Sequence, residues 1–242
     1  MRNSVNRIRN RIRRELQIGG LAGVQQGDRR LLPWIDVNPF LIGHRHPTFQ
    51  DRRAPLFRDD LDFETGLISI EAFETFDVRP LFYREVFTLG LTLRETTEFR
   101  YHMDVIKRDG KTWYDFNTED AVLNYLKGKV EIFEDIRRAG ELRPNFEISG
   151  KRRDEIGCLI DHRGTLVKGK SGNNRFAIAR MLRLQSIPVQ IDAIHVKQVS
   201  VVKQFPGFTP IAKINRYLLS FQESFAQRPC PTPSPRSGDR RH

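Results

Sequence analysis

Cysteine is scarce in this 242-residue sequence, with only Cys158 and Cys230 present. Cys158 lies in a strand-like segment and Cys230 in a proline-rich stretch, so we expect no disulfide framework and a reducing, cytoplasmic environment. No run of 18 or more apolar residues occurs, so we expect no membrane span. The first 20 residues are basic and lack an apolar core with a small-residue cleavage site, so we expect no secretory signal.

Acidic residues are outnumbered, since 30 Asp and Glu stand against 41 Lys and Arg, a formal net charge of +11. Such an excess favours anionic partners, either phosphate groups or nucleic acid. The termini are either nucleic-acid-binding arms or simple solubilising ends. Their arginines include Arg2, Arg7, Arg9, Arg11, Arg13, Arg14, Arg29, Arg30, Arg236, Arg240 and Arg241.

Changes in composition and charge predict five segments. Residues 1–30 form a basic amphipathic helix and a glycine-rich linker, and residues 31–114 form an α/β amino-terminal extension. Residues 115–202 form the main domain and residues 203–226 a carboxyl-terminal helix. Residues 227–242 are rich in Pro, Ser and Arg, which is typical of a disordered tail.

The main domain has clear signals for helices and strands. Thr118 precedes two acids and an apolar stripe, which predicts a helix through Ala139 that Gly140 ends. The stripe consists of Val122, Leu126, Val130, Phe133 and Ile136. A hairpin turning at residues 162–164 follows, then a helix over about 175–184 and a strand over 186–196. Upstream, alternation in "LISIEAFETF" predicts a strand, and "RPLFYREVFTLGLTL" predicts a helix. We therefore predict an α/β (α+β) fold with a small mixed sheet flanked by helices.

The segment "KGKSGNNRFAIAR" has the residue types of an anion site. Gly172 permits backbone torsions closed to other residues, and the following helix start offers unpaired N–H groups at the positive end of a dipole. Arg175 on the first turn can clamp a phosphate through two hydrogen bonds. The alternative is an ordinary Gly-Asn turn with an exposed arginine. The predicted ligand-binding set is Lys170, Ser171, Gly172, Asn173, Asn174 and Arg175, with Lys168 adding positive potential.

The order of elements around this turn resembles the ParB/sulfiredoxin-like fold family. The resemblance runs from Ile132 to Ile191 and rests on the helix "IFEDIRRAGELRP", the hairpin, the G-x-x-R-x-x-A box at residues 172–178 and the strand signature "IPV". It is strongest for proteins with a ParB-like amino-terminal domain, which carry segments similar to residues 39–42 and to "LGLTLRETTEF".

This resemblance implies that the phosphates of a nucleotide, ATP or CTP, bind against Gly172, Arg175 and the helix start. Members include CTP-hydrolysing partition proteins, ATP-using sulfiredoxins and a free-serine kinase. Asn173-Asn174 stand where these have Glu-Arg, Cys-His and His-His, and Ser171 stands where the kinases have Asp. We therefore expect the phosphate cradle without the specific chemistry of any of these enzymes.

A phosphotransferase or nucleotide hydrolase needs a general base and commonly Mg²⁺. Glu134 and Asp135 lie near the turn that is expected to face the site, and the resemblance adds Glu95 in "RETTEF". All three are candidate catalytic residues, and a solvated helix surface is the alternative for each.

Two further alternatives concern DNA and metals. A non-catalytic module that binds DNA through its basic termini is the alternative function, although no helix-turn-helix is readable after the box. His44 and His46 in "GHRHP" have no further Cys or His at ligand spacing, so we predict no metal site.

Overall fold

The computed structural model describes residues 21, 24, 31–46, 56–58, 66–112, 114–150 and 155–227. The helix predicted over residues 1–18 and residues 228–242 of the predicted tail lie outside these ranges. Within them, no helix is long and apolar enough to cross a membrane.

A mixed sheet of seven strands forms the centre of the described structure. Six strands follow the order β1-β7-β5-β6-β2-β4, and β3 pairs with β7. The parallel pairs are β5 with β7, β2 with β6 and β3 with β7, and the other pairs are antiparallel. The strands are β1 (Ile35–Val37), β2 (His44–Arg45), β3 (Phe57–Arg58), β4 (Ile68–Ser69), β5 (Ile156–Ile160), β6 (Leu166–Lys168) and β7 (Ile187–His195).

Eight α-helices accompany the sheet in the described ranges, with 3-10 turns at Pro39–Leu41, Leu93–Glu95 and Val196–Gln198. The helices are α1 (Ile70–Phe76), α2 (Val78–Phe87), α3 (Thr97–Asp109), α4 (Glu119–Ala139), α5 (Asn145–Ser149), α6 (Asn173–Met181), α7 (Val199–Gln204) and α8 (Pro210–Ala226). Helix α6 packs against α2, and α8 packs against β1.

The core lies around strand β7, whose nine residues are all buried. One cluster of buried apolar side chains extends from Leu21 to Phe225 and joins the sheet to the helices. The predicted α/β class with a mixed sheet and flanking helices is thereby confirmed.

Helix α4 confirms its predicted start and end. The Thr118 side chain accepts a hydrogen bond from the Ala121 amide, and Gly140 ends the helix at φ 69°. One position of its buried face differs from the prediction. Lys129 is only 3% exposed and takes the place expected for Val130, which is half-buried.

The strand predicted over "LISIEAFETF" is wrong beyond its first residues. Only Ile68–Ser69 is a strand, because the Ser69 side chain then caps α1 by accepting from the Ala72 amide. Ile70 and Phe73, three residues apart, become the buried face of that helix.

Candidate functional site

Helix α6 begins at Gly172, which adopts the left-handed conformation predicted for it, with φ 70° and ψ 30°. Because its N-cap residue is glycine, this helix start has no capping hydrogen bond from an N-cap side chain. A Cβ atom on Gly172 would lie 2.5 Å from the Glu155 carbonyl oxygen and 2.6 Å from the Ile156 Cα atom. The missing side chain therefore allows the turn to approach the protein's own strand β5.

The next three side chains point to three different neighbours. Asn173 Oδ1 accepts a hydrogen bond from Lys168 Nζ at 3.2 Å. Asn174 lies beside Tyr125, close enough to affect the pKa of its hydroxyl. Arg175 bonds to Glu155, with Nη1 and Oε2 3.1 Å apart, and its Nη2 donates to the carbonyl of Arg143.

The predicted role of Arg175 as a phosphate clamp is therefore corrected. Its side chain is only 9% exposed and that of Glu155 only 5%. Because the guanidinium is buried and its charge is balanced by a carboxylate, it holds the start of α6 against the segment before β5. It is not presented to a ligand in this arrangement.

Lys168 is also placed differently from its predicted position beside an open loop. It is fully buried, and its Nζ donates to the carbonyls of Gly169 and Ser171 as well as to Asn173. Burial lowers the pKa of Lys168 to about 7. The Lys168 ammonium therefore stabilises the turn through hydrogen bonds from the protein interior. Lys170, by contrast, is exposed, and Ser171 Oγ lies 3.5 Å from Asp192 Oδ2.

The three predicted catalytic carboxylates serve other purposes in the structure. Glu95 caps a 3-10 turn by accepting from the Thr92 amide at 2.8 Å. Glu134 pairs with Arg137 at 2.5 Å and Asp135 with Arg138 at 3.3 Å. Asp135 and Arg138 are mostly exposed, which is the solvated-surface alternative. The contacts of these residues give no support to a catalytic role.

A group of charged side chains that sequence reasoning missed lies beside α6. Asp77 caps α2 by accepting from the Arg79 amide, and Arg79 Nε and Nη2 donate to its carboxylate at 2.8 and 2.9 Å. Arg45 Nη1 lies 3.6 Å from the same carboxylate, and Arg45 Nε is buried without a hydrogen-bond partner among the described residues. Burial, together with the nearby charge of Arg79, lowers the pKa of Arg45.

A second missed group is the buried ion pair between Glu98 on α3 and Lys129 on α4. Burial raises the pKa of Glu98 and lowers that of Lys129 to about 8, while the attraction between the partners opposes both shifts. The Lys129 ammonium also lies 4.2 Å from the ring centroid of Phe82 and 4.9 Å from that of Tyr83. Because burial shifts the two pKa values towards each other, the pair is suited to accept or release a proton.

Polar atoms without partners surround this ion pair. In the described part of the chain, Tyr83 Oη and His102 Nδ1 are buried and make no hydrogen bond. The buried Tyr125 hydroxyl lies beside the side chains of Tyr114 and Asn174. His102 Nε2 is 3.9 Å from Glu98 Oε1, and burial lowers the pKa of His102, which favours the neutral ring. Unsatisfied buried groups are costly, and they concentrate at sites that bind water, ions or ligands.

The charges of Asp77 and Arg79 influence both members of the Glu98–Lys129 pair, and that of Arg79 also influences Lys168. We therefore treat the helix start and the two charged groups together as the α6 site. It consists of Arg45, Asp77, Arg79, Glu98, Lys129, Lys168, Asn173 and Asn174. The described residues contain no cluster of three or more His, Cys, Asp or Glu that could hold a metal ion. The chemistry that the side chains of the α6 site can supply is anion binding and proton transfer.

Comparisons of this chain with protein-family models, curated proteins and solved structures gave no match.

Replacing Gly172 by Ala tests the close contact with strand β5. Gly140 is the matched control, because it has nearly the same φ of 69° but no atom within 4 Å of the point that an added Cβ would occupy. We expect Gly140→Ala to cost about 1–2 kcal/mol for the left-handed conformation alone. Gly172→Ala should cost at least about 1 kcal/mol more, because the new methyl group overlaps backbone atoms. Urea denaturation measures both, and equal losses would contradict the account.

The Glu98–Lys129 pair should behave as a coupled unit. Glu98→Gln and Lys129→Met should each lower the free energy of unfolding by about 3–5 kcal/mol, because each leaves an uncompensated charge inside the protein. The double variant should lose less than the sum of the two single variants. Chemical denaturation of all four proteins gives the coupling energy, and strictly additive losses would show that the pair is not coupled.

Proposed function

We propose that this chain has a ParB/sulfiredoxin-like fold and binds the phosphate groups of a nucleotide, ATP or CTP, at the α6 site. The observation that most supports this is the start of α6. Gly172 turns the chain with left-handed torsions, and as a glycine it offers the helix no capping side chain. First-turn N–H groups at the positive end of the helix dipole favour phosphate oxygens.

The order of elements supports the same proposal. Strands β5 and β6 form a hairpin, the turn at Gly172 follows, and α6 leads into β7, which lies parallel to β5. The resemblance seen in the sequence implies this order. Since Arg175 is bonded to Glu155, the electrostatic contribution has to come from other cations at the α6 site.

Phosphoryl transfer or nucleotide hydrolysis with Mg²⁺ is the activity that we propose for such a ligand. Asn173 and Asn174 can donate hydrogen bonds to phosphate but supply neither a nucleophile nor a base. Among the carboxylates of the site, Glu98 is the most suited to proton transfer, because burial raises its pKa and Lys129 lies beside it. Glu98 replaces Glu95, Glu134 and Asp135 as the proposed base.

Titration of the purified full-length chain with ATP and with CTP, each with and without Mg²⁺, tests the proposal. We expect saturable binding of at least one nucleotide by calorimetry. Adenosine and cytidine should not compete, because they lack the phosphates that the site recognises. If neither nucleotide binds in the presence or absence of Mg²⁺, the proposed function fails.

A truncated chain separates this function from the DNA-binding alternative, whose arginines lie largely in residues 1–18 and 228–242, outside the described structure. Deleting both segments should leave nucleotide affinity unchanged. Any DNA affinity with a steep dependence on salt should disappear with them. If nucleotide binding disappears as well, the termini rather than the α6 site carry it.

A further inference from the structure

The start of helix α2 contributes charged residues near Lys168, since the charge of Arg79 influences its ammonium. Helix α2 begins at Val78 after its cap Asp77, and helix α6 begins at Asn173. These two helices pack against each other. Arg45 on β2 is the register partner of Lys168 on β6, and β2 and β6 are parallel, so the two side chains emerge on the same face of the sheet.

Positive charge exceeds negative charge at this point of the fold. Arg45 and Arg79 share one carboxylate, that of Asp77. Lys168 directs its donors to carbonyl oxygens and to Asn173, and Asp192 is the other carboxylate near it. While Lys168 is protonated, three cations face two carboxylates, so the group carries one excess positive charge.

The burial of Arg45 indicates that this position would accept an anion. The residue is only 5% exposed, and its Nε has no hydrogen-bond partner in the described structure. A buried guanidinium donor without an acceptor is costly, and an anion at this position would satisfy it. Arg79 is the more accessible of the two arginines, since 23% of its side chain is exposed to solvent.

We propose that Arg79 and Arg45 bind the phosphate of the ligand and that Asp77 competes with the ligand for the Arg79 guanidinium. This inference rests on the proposed function and names the residues that give the site its charge. The planar guanidinium of Arg79 donates Nε and Nη2 to Asp77, the edge that a phosphate would use for two parallel hydrogen bonds. The excess positive charge favours an anionic ligand such as a phosphate.

Three substitutions on α2 or at its cap test the inference, with ATP, CTP and inorganic triphosphate as the probes. Arg79→Gln should weaken binding by about tenfold or more, as expected for the loss of a charge-assisted hydrogen bond. Asp77→Asn should strengthen binding several-fold, because it removes the competing charge and asparagine still caps the helix. Arg84→Gln is the control, since Arg84 is exposed on the same helix, and it should leave affinity unchanged.

The results distinguish this inference from the proposed function. If the unaltered protein binds none of the three probes, the proposed function fails. If it binds them and both Arg79→Gln and Asp77→Asn retain its affinity, the inference is overturned and the proposed function stands. A thermal unfolding scan checks that each variant folds. If Arg79→Gln does not fold, the affinity of Asp77→Asn for the probes tests the inference alone. A gain in affinity supports the inference, and an unchanged affinity overturns it.

Discussion

The contact between Gly172 and the backbone of strand β5 determines where helix α6 begins. No side chain fits there, because a Cβ would lie 2.5 Å from the Glu155 carbonyl oxygen. The ion pair of Arg175 with Glu155 and the hydrogen bonds of Lys168 to the turn depend on this contact, since they join α6 and its turn to strands β5 and β6. The direction of the first-turn N–H groups, and hence the proposed anion site, follows from it.

The buried charged side chains around the start of α6 lower the stability of the fold. Burial lowers the pKa values of Lys168 and Lys129 and raises that of Glu98, which shows that the interior disfavours each charged form. A structure selected for stability alone would replace such groups by apolar side chains of similar volume. Their concentration beside one helix start is the physical reason for interpreting this region as a functional site.

Local signals in the sequence were sufficient for several elements. Helix α4 begins after Thr118 and ends at Gly140 as predicted, and Gly172 adopts the predicted left-handed conformation. The buried position of Lys129 was also readable, because residues 122, 126, 129, 133 and 136 keep helical spacing on one face. Glu98 and His102, four residues apart on either side of the buried Phe99, carry a similar signal on α3.

Partners distant in the sequence were not predictable in this way. Glu155 lies 20 residues before Arg175, and nothing in the box indicates that the arginine would turn back towards it. Arg45, Asp77 and Arg79 come together with Lys168 only because β2 inserts beside β6, a pairing that the sequence pattern does not specify. The hairpin and helix signals therefore located the candidate site, whereas tertiary packing decided which cations it contains.

The crystal structure of the protein bound to ATP or CTP tests the central claim most directly. The account predicts phosphate oxygens against the amides of Asn173 and Asn174, with the Arg79 guanidinium turned from Asp77 towards them and Arg175 still paired with Glu155. Phosphate density at any other surface, or a phosphate held by Arg175 after its ion pair with Glu155 has broken, would contradict it.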